Sequence, residues 1–492
     1  MEYLSTYNRY FPFTVMCLFL LAFTSVIGQG STSFYKTYTG GLFDFGQGIT
    51  QLDNGKYAVT GSTSSLGDNS SKALLMVIDE EGNHEWTKGY GGANSDWGRR
   101  IFHETGSGFW IAGYSNSYGD ASFDFTLLKT DESGELEWEQ HYGTADRERL
   151  WDAIRIDDGS FILVGETEGA LSDGKDILIM RVDEDGELMW TERIQSELDD
   201  IAYTVGLYND TTLIIGGVSS DNSINQKGFL TSFHIDGNQN WMKFYDDSGK
   251  TVIRDVSFFD NQIFAGGSVV LSGNNYMNSW IIRTDAQGEV LFESIESWVG
   301  DEYVSNILAL DVERVYWSQW TTSTQQSIFM DGPDVFINRF HRGLYFFGFA
   351  QSFSGIDTDE FHQLVPTDDG GFICVGYCSD IRTEESPGNN VMIVKIGPND
   401  ESENTAQQGV DLVSISDEKL ESFSIYPNPS SEVLNVSGIN IPFNYKILDV
   451  QGKEHKKGEG NQQVDISNLP KGMYFLQINS TQNKVIFKFV KK

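Results

Sequence analysis

The sequence predicts an all-β chain, a seven-bladed β-propeller followed by a small Ig-like β-sandwich. Three observations predict it. Trp86, Trp138, Trp190 and Trp241 stand 52, 52 and 51 residues apart, each four residues after a glycine (GNHEW, GELEW, GELMW, GNQNW). A second marker keeps step: Gly61, Gly113, Gly165 and Gly217 recur every 52 residues, followed by Gly267 and Gly376. The last repeat lacks its tryptophan-type strand, while FYKTYTGG (Phe34 to Gly41) matches WTKGYGG (Trp86 to Gly92) in spacing. A period near fifty marks a repeat architecture. A strand supplied from the N-terminus would complete the last blade and leave no open sheet edge.

The elements follow in order. Residues 1–28 read as a signal peptide. Arg9 precedes the apolar stretch FPFTVMCLFLLAFTSVIG, and Val26 and Gly28 are small enough for cleavage before Gln29. No other run nears the roughly 18 apolar residues that span a bilayer, so no transmembrane segment is expected after cleavage.

Residues 29–400 hold the repeats: 44–95, 96–147, 148–199, 200–250, 251–301, 302–356 and 357–400. Each has four short runs rich in Val, Ile and aromatic residues, as in AIRI, FILVGET, DILIMRV and ELMWTERI. Gly/Asp turns separate them, which is hairpin chemistry because glycine accepts positive φ. The patterns DGSFILVG and KTDESGELEW resemble secreted propeller repeats of Bacteroidetes. The period and the Gly-Gly pairs at 216/217 and 266/267 are also kelch-like. Such a resemblance implies a fold and not a chemistry.

Residues 401–422 read as an acidic linker, and the composition changes from 423 to 492. That tail has nine lysines against five carboxylates, a charge of +4, which leaves −41 of the chain's −37 to the residues before it. Strand runs (VLNV, YKILDV, MYFLQI, VIFKFV) alternate with turns, the pattern of a small sandwich. The tail resembles the type IX secretion C-terminal sorting domain of Bacteroidetes. The residues that carry the likeness are Tyr426, Pro427, Asn428 and Pro429, then Gly452 in LDVQGK. Asp465, Leu469, Pro470, Gly472 and Tyr474 follow in DISNLPKGMYFLQI, with Lys488, Lys491 and Lys492 at the end. The resemblance implies the type IX machinery as a partner and a secreted or outer-membrane-surface location.

A formal charge of −37 disfavours nucleic acid and anionic membranes as partners. Beyond the signal stretch only Cys374 and Cys378 remain. Four apart on a strand they lie roughly 13 Å from each other, too far to bridge, and are expected as free buried thiols. SGKT at 248–251 lacks the first glycine of a phosphate loop, and neither HExxH nor GxSxG occurs. No non-repeating His/Arg/Tyr cluster is legible, so no catalytic residue is expected.

One constellation stands out. An acid lies seventeen residues before each marker glycine in Asp44, Asp96, Glu148, Asp200 and Asp359. In a propeller these would sit where the chain enters each innermost strand. They would either ring the channel mouth, holding Ca²⁺ or a cationic group, or each cap its own turn. The longer loops share that face, with Trp97, Trp151 and Tyr118 as aromatic candidates for a sugar or peptide. The function expected is thus an exported binding or scaffold protein for a glycan or protein ligand. It needs no cofactor, unless Ca²⁺ occupies the acids. The alternatives are a polysaccharide lyase or hydrolase and a Ca²⁺-stabilised adhesin.

Overall fold

The computed structural model describes residues 33–399, 407–411, 424–426 and 430–492, less short loop segments of which 323–333 and 380–387 are the largest. The expected signal peptide, Pro427, Asn428, Pro429 and Gly452 lie outside the described residues. The chain divides into two compact units, one ending at Val410 and the other covering Asp411–Lys492. All regular elements among the described residues are strands.

In the first unit each repeat folds as an antiparallel meander. Blade 1 is Asp44–Gln51, Tyr57–Thr63, Lys72–Ile78 and His84–Tyr90, paired in chain order. Blades 2 to 6 repeat this plan and begin at Asp96, Arg147, Asp200, Lys250 and Glu302. The first strand of each blade touches the first strand of the next, and Glu360–Pro366 of blade 7 touches Asp44–Gln51 of blade 1, so the ring closes. Core side chains fill the spaces between neighbouring sheets. Phe125 and Leu127 of blade 2, for example, share a cluster with Phe161 and Leu163 of blade 3.

Blade 7 receives the N-terminal strand Phe34–Thr39, which pairs antiparallel with Asn389–Ile396 from Phe34↔Lys395 to Tyr38↔Val391. Its tyrosine works as its counterparts do. Tyr38 Oη donates to the Gly82 carbonyl at 2.7 Å, as Tyr90 does to Gly134 and Tyr142 to Gly186. Each acceptor lies in the Asp-x-x-Gly turn of the next blade; Gly134 has φ +76°, open to glycine at little cost. One feature departs from the sequence reading. Gln407–Asp411, inside the expected linker, forms a fifth strand on the outer edge of Phe34–Thr39.

A polar belt joins the innermost strands at every junction. Asp152 accepts the Val205 N–H (2.9 Å) and pairs with Arg100 Nε (2.6 Å). Arg100 also donates to the Gln47 carbonyl. Asp255 accepts the Ile307 N–H (2.8 Å) and the Thr204 hydroxyl (3.2 Å). Asn306 donates to the His362 carbonyl, and Gln363 accepts the Ile49 N–H. Buried backbone groups at the centre of the ring are thereby satisfied.

The C-terminal unit has two sheets. One joins Ser424–Tyr426, Val433–Ser437 and Gln463–Asp465. The other orders Glu454–Gly460, Phe443–Asp449, Gly472–Asn479 and Lys484–Lys491. Leu434, Val436 and Val464 of the first pack with Tyr445, Ile447, Tyr474, Leu476 and Phe489 of the second, and buried Leu469 joins them. Asp465 accepts from the Ser467 N–H and Lys456 Nζ, both at 2.9 Å, and Tyr474 Oη donates to the Pro470 carbonyl. Gly472 begins its strand, Lys491 ends the last one, and Lys492 follows it.

Candidate functional site: an arginine-rich central cavity

Every innermost strand carries a β-bulge at one equivalent place. The register skips one residue between Gly98 and Arg100 in blade 2, and does so in each sister blade. The extra residues are Gln47, Arg99, Trp151, Tyr203, Arg254, Ser305 and His362. A bulge re-aims its side chain out of the ladder, and all seven line a central cavity of about 400 Å³. That lies in the usual range for ligand pockets, roughly 300–1,000 Å³.

The marker glycines and the bulges are one device. A Cβ on Gly61 would lie 1.8 Å from the Phe45 carbonyl oxygen; on Gly217, 2.0 Å from that of Ile201; on Gly376, 1.9 Å from that of Glu360. Glycine there lets the bulged backbone come close.

The cavity wall is cationic and aromatic. Arg99 and Arg149 both face the Trp151 ring, their guanidinium carbons 4.6 and 4.2 Å from its centroid. Arg254 lies 4.4 Å from the Tyr303 centroid. Among the described residues Arg99, Arg149 and Arg254 make no ion pair, and the buried Nε of each has no hydrogen-bond partner. Arg99 does donate to Gln47 Oε1 at 2.6 Å. Burial, together with the charges of Arg149 and Arg100, lowers the Arg99 guanidinium to about 10.

The lining also includes Phe45, Tyr303, Glu360, His362 and Tyr377. Tyr303 Oη donates to Glu360 Oε1 at 2.7 Å, and burial with that carboxylate raises the phenol well above its ordinary value. His362 stacks on Tyr377 at 5.5 Å, its buried Nε2 without a partner. Burial beside Arg99 and Arg100 lowers its imidazole to about 4. Asp255, at the cavity edge, is pushed up to about 7 by burial and the neighbouring Asp152 charge.

The acids singled out in the sequence have other surroundings. In place of an open ring, each is buried, and four of the five are held by hydrogen bonds to nearby hydroxyl or N–H groups. Asp44 accepts from the Thr63 hydroxyl (2.5 Å), the Ser65 hydroxyl (2.9 Å) and the Gly40 N–H (2.8 Å). Burial raises its carboxyl, and these bonds pull it back. Asp96 accepts from Ser115 and Ser117, Glu148 from Thr167 and Thr144, and Asp359 from the Ser379 N–H. Asp200 is buried as well. The hydroxyls at Thr63, Ser115 and Thr167 stand nineteen residues after their acids, which is turn architecture copied by the repeat. No group of three or more potential metal ligands occurs among the described residues.

Trp97 and Trp151 do line the cavity. Tyr118 lies apart, bonded to Glu139 at 3.0 Å. The cavity brings together the His/Arg/Tyr cluster that the sequence did not reveal. Cys374 and Cys378 are buried and form no disulfide.

Comparison with known proteins assigns the tail first. Residues 424–492 match the secretion system C-terminal sorting domain. The protein therefore carries a type IX sorting tail and is secreted to the cell surface or the extracellular space. No helix among the described residues is long and apolar enough to cross a membrane. No curated protein matches the chain.

Solved structures similar to it are propellers. A PL25 ulvan lyase bound to -[GlcA(1-4)Rha3S]- is 10% identical (TM-score 0.48), covering 75% of this chain and 96% of that one. The polysaccharide lyase Uly1 is 11% identical (TM-score 0.46; 72% and 90%). The propeller domain of the Trilobed protease of Pyrococcus furiosus is 8% identical (TM-score 0.41; 71% and 94%). At such identity the likeness is one of fold, and the neighbours' activities are not carried across.

Proposed function

We propose that this exported propeller binds an acidic glycan, one bearing carboxylate or sulfate groups, in its central cavity. One observation carries the reading: three guanidinium groups, Arg99, Arg149 and Arg254, converge there with no ion-pair partner in a chain of charge −37. Arg99 is buried and the other two are half-buried; taking unpaired charge out of water is costly, so folding alone gives no reason to keep it there. A ligand anion would take up the orphaned N–H groups through charge-assisted hydrogen bonds. The aromatic rings supply flat apolar faces, which suits sugar rings better than an acidic peptide.

The test is thermal melting of the mature chain with acidic and neutral polysaccharides and with a poly-glutamate control. An acidic glycan at about a hundred times its Kd should add about 2.7 kcal/mol of stability. A shift with poly-glutamate and none with any glycan would move the reading to a protein partner. Absence of any shift would remove the cavity as an anion site.

A second reading, eliminative cleavage of a uronate polymer, is favoured by His362. Its imidazole, held near 4, is a free base at neutral pH with Nε2 unpartnered in the same cavity. Such a base could take the proton beside the carboxylate. The glycosidic C–O bond would then break as a C=C forms, the departing oxygen taking up the proton that the imidazole removed, while an arginine balances the carboxylate charge. Unsaturated product, seen by ultraviolet absorbance, separates this reading from simple binding.

A further inference from the structure

The cations of the cavity fall into two separate positions. The first is the pair Arg99 and Arg149 on blades 2 and 3, packed against one ring, Trp151, and both within 5.6 Å of the Tyr114 centroid. The second is Arg254 on blade 5, between the rings of Tyr303 at 4.4 Å and Tyr203 at 5.6 Å. Blade 4 lies between them and contributes Tyr203, which meets Trp151 edge-on at 5.1 Å. One aromatic side chain thus separates the two positions. Each has a buried Nε without a partner. The lining has two carboxylates: Glu360, engaged by the Tyr303 hydroxyl, and Asp255, engaged by the Ile307 N–H and the Thr204 hydroxyl.

A single carboxylate or sulfate can take the fork of the Arg99/Arg149 pair, but it would leave Arg254, half-buried and without an ion pair, unengaged beyond Tyr203. We infer that the cavity reads two acidic groups at once, on neighbouring sugar residues of one chain, with Tyr203 and Trp151 as the surface beneath the linkage. The inference rests on the acidic-glycan reading and narrows its ligand to a densely charged polysaccharide. Occasional acidic branches would not meet it. The class of oxyanion, carboxylate or sulfate, is common to both positions.

Titration calorimetry on the mature chain tests this with matched mono- and disaccharides of galacturonate, glucuronate and guluronate. In the parent, at least one diuronate should bind ten- to a hundredfold more tightly than its monouronate. Added salt should weaken the diuronate more steeply, since two ligand charges are screened instead of one. In Arg254→Gln and in Arg149→Gln that affinity ratio should collapse towards one. Both side chains lack ion-pair partners, so both variants are expected to fold, which their melting curves check. The salt comparison in the parent holds whether or not they do.

Equal affinity for the mono- and diuronate, with parallel salt dependence, would overturn the two-position inference and leave a one-anion cavity. No binding by any uronate, but binding by a disulfated disaccharide over its monosulfated form, would keep the two positions and assign them to sulfate. No binding by either class would overturn the acidic-glycan reading itself.

Discussion

A Cβ placed on Gly113 would lie 1.8 Å from the carbonyl oxygen of Trp97. This contact links the most regular feature of the sequence to the least regular feature of the cavity. The glycine leaves room for the bulge, and the bulge turns Arg99 inward. Gly113→Ala should destabilise the propeller by about 1–3 kcal/mol, the usual cost of overpacking. It should also weaken acidic-ligand binding by displacing Arg99. Denaturant unfolding and calorimetry on the same preparation check both halves.

Arg254 makes no ion pair among the described residues, so removing its charge should not harm the fold. Arg254→Leu is expected to melt at or above the parent temperature while binding an acidic glycan at least tenfold less tightly. That trade of stability against function is typical of binding sites. A scaffold arginine would behave oppositely, with a lower midpoint in differential scanning calorimetry.

Asp152 holds the belt between blades 2, 3 and 4 through Arg100 and the Val205 N–H. Asp152→Ala takes the ion-pair partner from the Arg100 guanidinium and leaves the buried Val205 N–H without an acceptor, and should cost about 3–5 kcal/mol. Chemical denaturation reads this directly. Asp44→Asn, which keeps one acceptor oxygen for the Ser65 hydroxyl and the Gly40 N–H while its amide donates to the Thr63 hydroxyl, should cost less.

Acid stability follows from His362. Its folded value of about 4 lies below the ordinary 6.5 of histidine. Between those values the unfolded chain holds a proton that the folded chain lacks, so this residue lowers stability as pH falls from 6.5 to 4. His362→Gln should therefore lose less stability than the parent across that window. Asp255 has the opposite sign. Its value, raised from 3.8 to about 7, makes the folded state hold the extra proton, so its contribution weakens as pH rises between those limits. Asp255→Asn should flatten that part of the profile. Melting temperatures at half-unit pH steps separate the two.

The sequence made some of this legible and hid the rest for a physical reason. The strands, their turns and the N-terminal strand were readable because each repeat copies the same residue: Tyr38, Tyr90 and Tyr142 all clamp the next turn. The acids were readable for the same reason, and repetition is what structural roles produce. The cavity lies three residues further on, at positions filled by Gln47, Arg99, Trp151, Tyr203, Arg254, Ser305 and His362. There the spacing is kept and the chemistry differs. A search for sameness passes over such positions, although their offset of fourteen from Gly61, Gly113, Gly165, Gly217 and Gly376 was present all along. Gln407–Asp411 was hidden otherwise: a polar edge strand owes its pairing to the backbone of its neighbour more than to its own composition.

The most direct measurement is calorimetric titration of the mature chain with one acidic polysaccharide and with the same polymer after its carboxylates are reduced to alcohols. The two differ only in charge. Binding of the acidic form, lost on reduction and lost again in a chain carrying Arg149→Gln and Arg254→Gln, is the predicted result. Equal binding of the two polymers, or undiminished binding by the double variant, would contradict the claim that the unpaired arginines of the cavity recognise the ligand.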